Sequence, residues 1–170
     1  AKVDPASAQR LHAIDKKRIV RAMEVFYATG KTITEHNMET RSLPPRYRYC
    51  KIALSFEDRA ALYGRIDRRV DLMMEAGLAD EVRGLVRRGL GEDSTAMQAI
   101  GYKELYHALN GGCTVEQAVE QIKQSSRRYA KRQLTWFRRN PDVRWLDAGL
   151  PFSELFSAAR RELPFFDTES

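Results

Sequence analysis

The chain has 170 residues, of which 43% are hydrophobic and 31% are charged. At about 150 residues per domain this length fits one domain, or one with an appendage, and the apolar content excludes intrinsic disorder. No apolar run approaches the ~20 residues of a membrane span. The two cysteines, Cys50 and Cys113, lie far apart, which excludes a disulfide scaffold and a cysteine-based zinc site and favours a reducing cytoplasm.

The positive charge of the chain is concentrated in one segment. The formal net charge is +6, and residues 121–145 contain eight basic residues against the single acid Asp142, a local net charge of +7. The rest of the chain therefore sums to −1. A local basic excess of this kind indicates a polyanionic partner.

The first 45 residues predict two helices. Asp4 followed by Pro5 indicates a helix start, and Asp15 is a plausible N-cap for a helix that runs to about Ala28 before Gly30. The apolar positions of the second helix follow helical spacing, at Ile19, Ala22, Met23 and Phe26. Residues 31–45 are polar and are broken by Pro44-Pro45, so they are predicted as a connector.

A strand followed at once by a helix is predicted next. Residues 49–56 are mostly apolar, which indicates a short strand buried on both faces. Ser55 and Asp58 form a capping-box pattern, so the helix begins there and ends at about Ala76, before Gly77. Its buried face is predicted to carry Leu62, Ile66, Val70, Met73 and Met74.

The remaining chain predicts four helices and a second strand. A short helix from Leu78 stops near Gly89, residues 90–95 form a loop, and a further helix ends at Asn110. Thr114 and Gln117 form a capping box that begins a long helix to about Asn140. A strand over 143–147 and a helix over 153–162 complete a mostly α-helical chain with two short strands.

The long helix separates its cations from its apolar residues. On a wheel of 100° per residue, one face carries Arg127, Arg128, Lys131, Arg132, Arg138 and Arg139. The opposite face, which includes Tyr129 and Trp136, is predicted to pack inward. A solvated basic face is the alternative, but no acidic residues at i±4 neutralise the cations, so phosphate binding is favoured.

Arg65 and Arg69 form a second basic group at the edge of the buried face of their helix. Planar guanidinium groups bind phosphate oxygens bidentately. Spacing alone favours ion pairs with the neighbouring Asp67 or Asp71, or side chains that reach solvent over an apolar surface, over phosphate binding.

Two further groups carry weaker signals. Arg18 and Arg21 lie three residues apart on the flank of an apolar stripe, where a solvated role is favoured. Gly101 permits a close backbone approach at a helix entrance, and Tyr102 could stack on a base, although a turn glycine and a core tyrosine are the simpler interpretation. The residues alone thus indicate a helical, basic chain that faces a nucleic acid.

Five groups of motifs, in register across residues 3–147, resemble the tRNA dimethylallyltransferase family, also called the tRNA isopentenyltransferases. They are Val3-Asp4-Pro5; 15–25 with Thr29-Gly30-Lys31; 62–69 with 74–78 and Glu81-Val82; 100–104; and 130–138, with Trp145-Leu146-Asp147 behind them.

The resemblance implies transfer of a dimethylallyl group from dimethylallyl diphosphate to N6 of the adenosine 3′ of the tRNA anticodon, with Mg²⁺ assisting the diphosphate. It implies a fold similar to P-loop kinases: residues 1–45 would end a helical insertion, 46–150 would form the C-terminal part of the core with tRNA-binding helices, and 151–170 a C-terminal helix and tail. Because the family's P-loop and catalytic carboxylate precede these motifs, we expect a C-terminal portion that is inactive alone, with most Mg²⁺ ligands outside it.

The resemblance also implies residue roles. The tRNA-contacting stretches of the family fall on Lys17, Arg18, Arg21, Gln98, Gly101, Tyr102, Lys103, Lys131, Arg132, Gln133, Thr135 and Arg138. Arg65 or Arg69 resembles a family arginine near the diphosphate, whose departure a cation assists. Lys103 stands where an arginine is often found, so a bidentate contact is not expected there.

Two other functions remain open at this stage. One is a helical RNA- or DNA-binding module without catalysis, and the other is a helical domain whose basic face meets an acidic protein. The sequence leaves the oligomeric state open, although the edges of a short sheet would allow two chains to pair.

Overall fold

The computed structural model describes residues 2–44, 46–47 and 49–163. The chain divides into two compact units, Ala1–Tyr49 and Cys50–Ser170. The predicted class, mostly helical with two short strands, is confirmed. The three-part division predicted at residues 45 and 150 stays a prediction. No helix within the described residues has the length and apolar character needed to cross a bilayer.

The first unit contains three helices, α1 (Pro5–Arg10), α2 (Lys16–Thr29) and α3 (Ile33–Ser42). The first two confirm the prediction, and α2 ends at Gly30 with φ 73°. Helix α3 was missed, because its polar composition hides a capping box in which Thr32 and Glu35 satisfy each other's backbone amides. Pro45, half of the predicted break, lies outside the described residues.

Asp4 joins α1 to α3 in this first unit. Its carboxylate accepts hydrogen bonds from the Ser7 amide at 2.9 Å and from the Thr34 hydroxyl at 2.8 Å. Partial desolvation raises the pKa of Asp4, but the hydrogen bonds from Ser7 and Thr34 outweigh it and lower the pKa to about 2. The Val3-Asp4-Pro5 motif therefore has a structural role, that of an N-cap that also holds α3.

In the second unit four helices lie in sequence between two strands, in the order β1 (Lys51–Ser55), α4 (Arg59–Glu75), α5 (Leu78–Arg87), α6 (Tyr102–Leu109), α7 (Val115–Phe137), β2 (Val143–Asp147) and α8 (Phe152–Arg161). A short 3₁₀ helix, Ala96–Gln98, precedes α6. The core lies between α4, α5, α6 and the first half of α7, and it is formed by Val70, Leu78, Val82, Met97, Leu105, Ala118 and Ile122. This core fixes α7 against α4.

The two strands pair in parallel, with Lys51 opposite Val143 and Ser55 opposite Asp147. Strand β2 has the predicted bounds, whereas β1 is shorter than the predicted 49–56. The expectation that β1 is buried on both faces is wrong, since Leu54 is 54% exposed. Apolar composition alone did not distinguish a strand covered on both faces from one covered on one face.

Two helix ends also differ from the prediction. Helix α4 begins at Arg59, because Asp58 caps it by accepting from the amides of Ala60 and Ala61, so Ser55 takes no part in a capping box. Helix α7 begins at its predicted capping box of Thr114 and Gln117 but ends at Phe137, three residues before Asn140. Arg138 is its C-cap, and Arg139 lies beyond the helix.

Candidate nucleic-acid interface

Helix α7 is anchored at its start and exposed at its end. The capping box fixes the first turn, and Ala118 and Ile122 are buried in the core. No α7 residue after Ile122 is buried. The second half of the helix therefore carries its side chains along the surface of the second unit.

Two cations of the basic segment are neutralised by α4. Nη1 of Arg127 lies 2.5 and 2.6 Å from the carboxylate oxygens of Asp67, and Nζ of Lys123 lies 2.7 Å from Asp71. The hydrogen bond to Asp71 raises the pKa of Lys123. The prediction that Arg127 belongs to the free cationic face is wrong, because the wheel excludes acids of the same helix but does not reveal those of a neighbouring one.

The other five predicted cations form what we call the cation stripe, Arg128, Lys131, Arg132, Arg138 and Arg139. All five are exposed, and within the described residues none lies in an ion pair. Two of the guanidinium groups lie over aromatic rings instead, Arg132 at 5.5 Å from Tyr129 and Arg138 at 6.0 Å from Trp145. The rings orient these cations without neutralising them.

The opposite face of α7 does not pack as predicted. Trp136 is 65% exposed and Tyr129 is 48% exposed. Trp136 contacts the ring of Phe137 edge-on, with ring centroids 4.7 Å apart. The inward position predicted for Trp136 is wrong, because the core reaches only the first half of α7.

Arg65 and Arg69 are exposed, and neither uses Asp67 or Asp71, which bind α7. The guanidinium of Arg65 lies 5.7 Å from the ring centroid of Phe56. Arg69 lines a groove between α4 and α7 of about 600 Å³, to which Tyr129 and Gln133 also contribute. The intrahelical ion pairs that spacing allowed are therefore absent among the described residues, and both cations remain available.

The groove of Arg69 also reaches the segment before α6. Ile100 lines it together with Arg69 and Gln133. The groove thus brings together Arg69, the predicted diphosphate-binding cation, and Gln133, a predicted tRNA contact of α7. Ile100, the neighbour of Gly101, lines the same groove. This juxtaposition brings together residues that lie far apart in the sequence.

The segment from Gln98 to Lys103 has mainly local structural contacts. Gly101 is buried with φ 101°, a conformation that L side chains rarely adopt, and its amide donates to Glu104 at 2.9 Å. Tyr102 donates its hydroxyl to Glu81, a hydrogen bond that together with desolvation raises the pKa of Tyr102. Gln98 donates to the Glu92 carbonyl at 2.8 Å, while Lys103 is exposed without a described ion pair.

The first unit presents its own predicted contacts on α2. Lys17 and Arg18 are exposed, and Arg21 lies 3.4 Å from Glu24 in an exposed pair. An exposed pair of this kind contributes little to stability and leaves Arg21 accessible. Within this unit the three cations lie on one helix beside an exposed apolar groove that Ile19 and Met23 help to line.

Thr135 and Arg59 complete the described surface near the cation stripe. Thr135 donates its hydroxyl to the Lys131 carbonyl at 2.9 Å. Arg59, which the sequence analysis missed, lines a small pocket with Lys131 and Arg138. In the sequence Arg59 is recognisable only as a cation at the start of a helix. The packing of α4 on α7 shows that it faces Lys131 and Arg138.

A family model described as IPP transferase matches residues 1–140. A tRNA dimethylallyltransferase of Carboxydothermus hydrogenoformans is 49% identical over 148 residues, which cover 87% of this chain and 47% of that protein. One of Geobacter sulfurreducens is 45% identical over 161 residues, covering 95% and 51%. The chain therefore spans about half the length of the curated relatives it matches.

Solved structures give the same result. The full-length tRNA isopentenylpyrophosphate transferase from Bacillus halodurans matches with a TM-score of 0.65 and 40% identity, over 94% of this chain and 48% of that one. A tRNA delta(2)-isopentenylpyrophosphate transferase from Staphylococcus epidermidis matches with a TM-score of 0.60 and 38% identity, over 95% and 52%.

Proposed function

We propose, because this chain belongs to the IPP transferase family, that the whole protein transfers a dimethylallyl group from dimethylallyl diphosphate to N6 of the adenosine 3′ of a tRNA anticodon. In this reaction the N6 nitrogen forms a bond to the first carbon of the dimethylallyl group. The bond from that carbon to the diphosphate oxygen breaks, diphosphate leaves with the electron pair, and N6 loses a proton.

The contribution of this chain is to hold the tRNA. The observation that carries this proposal is the cation stripe, whose members lie together on an exposed helix end without a carboxylate partner among the described residues. Cations at this spacing repel one another, and a sugar-phosphate backbone relieves that repulsion while releasing its own counterions. Lys17, Arg18 and Lys103 would add backbone contacts, and Gln98, Gln133 and Thr135 polar ones.

Arg65 and Arg69 would act on the diphosphate. Negative charge develops on the leaving oxygen as the carbon–oxygen bond breaks, and a nearby guanidinium stabilises it more in the transition state than in the ground state. Arg69 is favoured by its position in the groove that Gln133 also lines. Gln133 of α7 would then lie beside the reacting group, while the cation stripe binds the sugar-phosphate backbone of the tRNA.

The described residues offer no cluster of metal ligands. No three Asp, Glu, His or Cys side chains among them come together to hold a metal ion. We therefore assign no described residue as a ligand of Mg²⁺. A diphosphate substrate is itself a common ligand of this ion. A cytoplasmic location accords with a tRNA substrate.

The test distinguishes tRNA binding from the binding of an acidic protein. A fluorescent anticodon stem-loop RNA is titrated with the 170-residue chain, and unlabelled tRNA and polyglutamate are then added as competitors. We expect tRNA to displace the probe and polyglutamate at equal charge to leave it bound. Displacement by both alike would overturn the proposal in favour of a nonspecific basic surface. Incubation of the chain with dimethylallyl diphosphate and tRNA is expected to give no modified adenosine by mass spectrometry.

A further inference from the structure

A small pocket lies between the start of α4 and the end of α7, apart from the groove of Arg69. Its volume is about 220 Å³, less than half that of the groove at about 600 Å³. The α4 side is formed by Arg59, Leu62 and Tyr63, and the α7 side by Lys131, Leu134, Thr135 and Arg138. These positions follow i, i+3, i+4 on α4 and i, i+3, i+4, i+7 on α7, so each helix turns one face toward the pocket.

The pocket combines three cations with no described acid. Arg59, Lys131 and Arg138 line it, none of its described lining residues is acidic, and none of the three cations lies in a described ion pair. Leu62 and Leu134 supply apolar walls, which weaken the screening of charges by water. Three cations around one concave site repel one another unless an anion occupies it.

Arg59 is placed where its own helix disfavours it. It is the first residue of the 17-residue α4, and the first turn of that helix contains no acid. The helix dipole carries partial positive charge at this end, so a cation there lowers helix stability. The Asp58 carboxylate already caps the free amides at this end, so an anion in the pocket would be bound by the side-chain cations, whose mutual repulsion it would relieve.

Two side chains of the pocket suit it to an oxyanion. The guanidinium of Arg138 lies 6.0 Å from the ring centroid of Trp145, which restricts its orientation. The Tyr63 side chain is half-buried in the pocket wall, and its hydroxyl has no hydrogen bond among the described residues, so it is able to donate to a ligand oxygen. The Thr135 hydroxyl already donates to the Lys131 carbonyl and is not counted as a donor.

We infer that this pocket binds a single phosphate group, with Arg59, Lys131 and Arg138 as its cationic ligands and Tyr63 as a neutral donor. Arg59 and Tyr63 thereby join the residues assigned above. Phosphate binding at this pocket does not depend on the transfer reaction, because it is measured on this chain alone. A backbone phosphodiester and a free phosphate or diphosphate share this chemistry, so the experiment distinguishes them.

The test uses nitrogen-15 NMR of the 170-residue chain with three probes: inorganic phosphate, diphosphate and an anticodon stem-loop RNA. We expect inorganic phosphate or diphosphate to shift the amide resonances of Thr135 and Tyr63. Arg59→Gln removes the charge but keeps a polar side chain at an exposed position, and we expect it to weaken that binding about tenfold, the effect of losing one charge-assisted hydrogen bond. Arg87→Gln, at an exposed arginine of α5, is expected to change nothing.

The RNA arm identifies the source of the phosphate. If RNA shifts the same amides and Arg59→Gln weakens RNA binding as well, the pocket holds a backbone phosphate; if only the free anions depend on Arg59, it holds a free phosphate group. Unchanged amides with every probe, or equal binding by the parent chain and Arg59→Gln, would overturn the inference. RNA binding through the stripe in that case would leave the proposed function standing, so the two failures are distinguishable.

Discussion

Arg127 reaches from α7 to Asp67 of α4, 60 residues away in the sequence, and Nη1 donates to both carboxylate oxygens at 2.5 and 2.6 Å. Both side chains are about one-third exposed or less, with fractions of 28% and 33%. The pair fixes the register of the two helices that form the groove of Arg69 and the pocket of Arg59. One cation of the basic segment thus has a structural role, while its neighbours remain available to a ligand.

The Arg127–Asp67 pair should contribute measurably to stability. A double-mutant cycle of Arg127→Ala and Asp67→Ala, measured by urea unfolding, is expected to give a coupling energy of about 1 kcal/mol, because the pair is partly shielded and two bonds form. The exposed pair Arg21–Glu24 is the control and should give less than about 0.5 kcal/mol. Equal coupling in both pairs would mean that the α4–α7 contact is no more than a surface ion pair.

Asp4 should matter more than the other aspartate N-cap of the first unit. Asp4→Ala is expected to cost about 1–2 kcal/mol, since it removes the hydrogen bonds to Ser7 and Thr34. Asp15→Ala is the matched control, because the Asp15 side chain accepts no capping hydrogen bond. Amide hydrogen exchange of α1 and α3 measures the difference, and comparable losses in the two variants would contradict the structural role of Asp4.

The Asp4 carboxylate should make the stability of the first unit depend on pH. The folded pKa of Asp4 is lowered from 3.8 to about 2, so the folded state favours its ionised form. Its stabilisation is complete above the unfolded pKa and is lost as the pH falls through the folded value. We expect protection of α1 and α3 to fall between about pH 4 and pH 2 in the parent chain and less steeply in Asp4→Ala. Parallel pH profiles would show that Asp4 is not responsible.

Gly101 should be intolerant of a side chain for conformational reasons. Its φ is 101°, and an added Cβ would meet only Leu78 Cδ2 at 3.6 Å, an ordinary contact. Gly101→Ala is therefore expected to cost about 1–2 kcal/mol through backbone strain alone. Gly64→Ala, in the interior of α4 with open space around it, should instead stabilise the chain by roughly 0.5–1 kcal/mol. Thermal unfolding compares them, and losses of the same sign would refute the argument.

Trp136 should contribute little to the fold despite its size. It is 65% exposed, so Trp136→Ala is expected to change the free energy of unfolding by less than about 1 kcal/mol. Ile122→Ala, in the core of the same helix, should cost about 2–5 kcal/mol. Urea unfolding followed by circular dichroism compares the two, and a loss at Trp136 as large as that at Ile122 would contradict the exposed position of the ring.

The sequence predicts those features that depend on neighbours along the chain. The capping box of Thr114 and Gln117, the helix end at Gly30 and the bounds of β2 are local patterns, and all three are confirmed. The exposed face of α7 was predicted for a similar reason, since helical periodicity separates two faces without requiring any partner.

Features that depend on distant segments were not predicted. Periodicity does not reveal that Asp67 approaches Arg127, that the core ends before Trp136, or that Arg59 faces Lys131. Helix α3 was missed because its composition is polar, so its only local signal is the capping box at Thr32. The motifs that resemble the family did not decide between Arg65 and Arg69, whereas the structure places Arg69, and not Arg65, among the residues lining the groove with Gln133.

The salt dependence of RNA binding tests most directly whether the cation stripe grips a sugar-phosphate backbone. Affinity for an anticodon stem-loop is measured against salt concentration for the parent chain, for Lys131→Ala/Arg132→Ala and for the charge-matched control Arg87→Ala/Arg88→Ala. The stripe variant should bind more weakly, with a log–log slope smaller by about 1.5 for two lost phosphate contacts. The control should keep the parent slope, and a stripe variant that also keeps it would contradict the account.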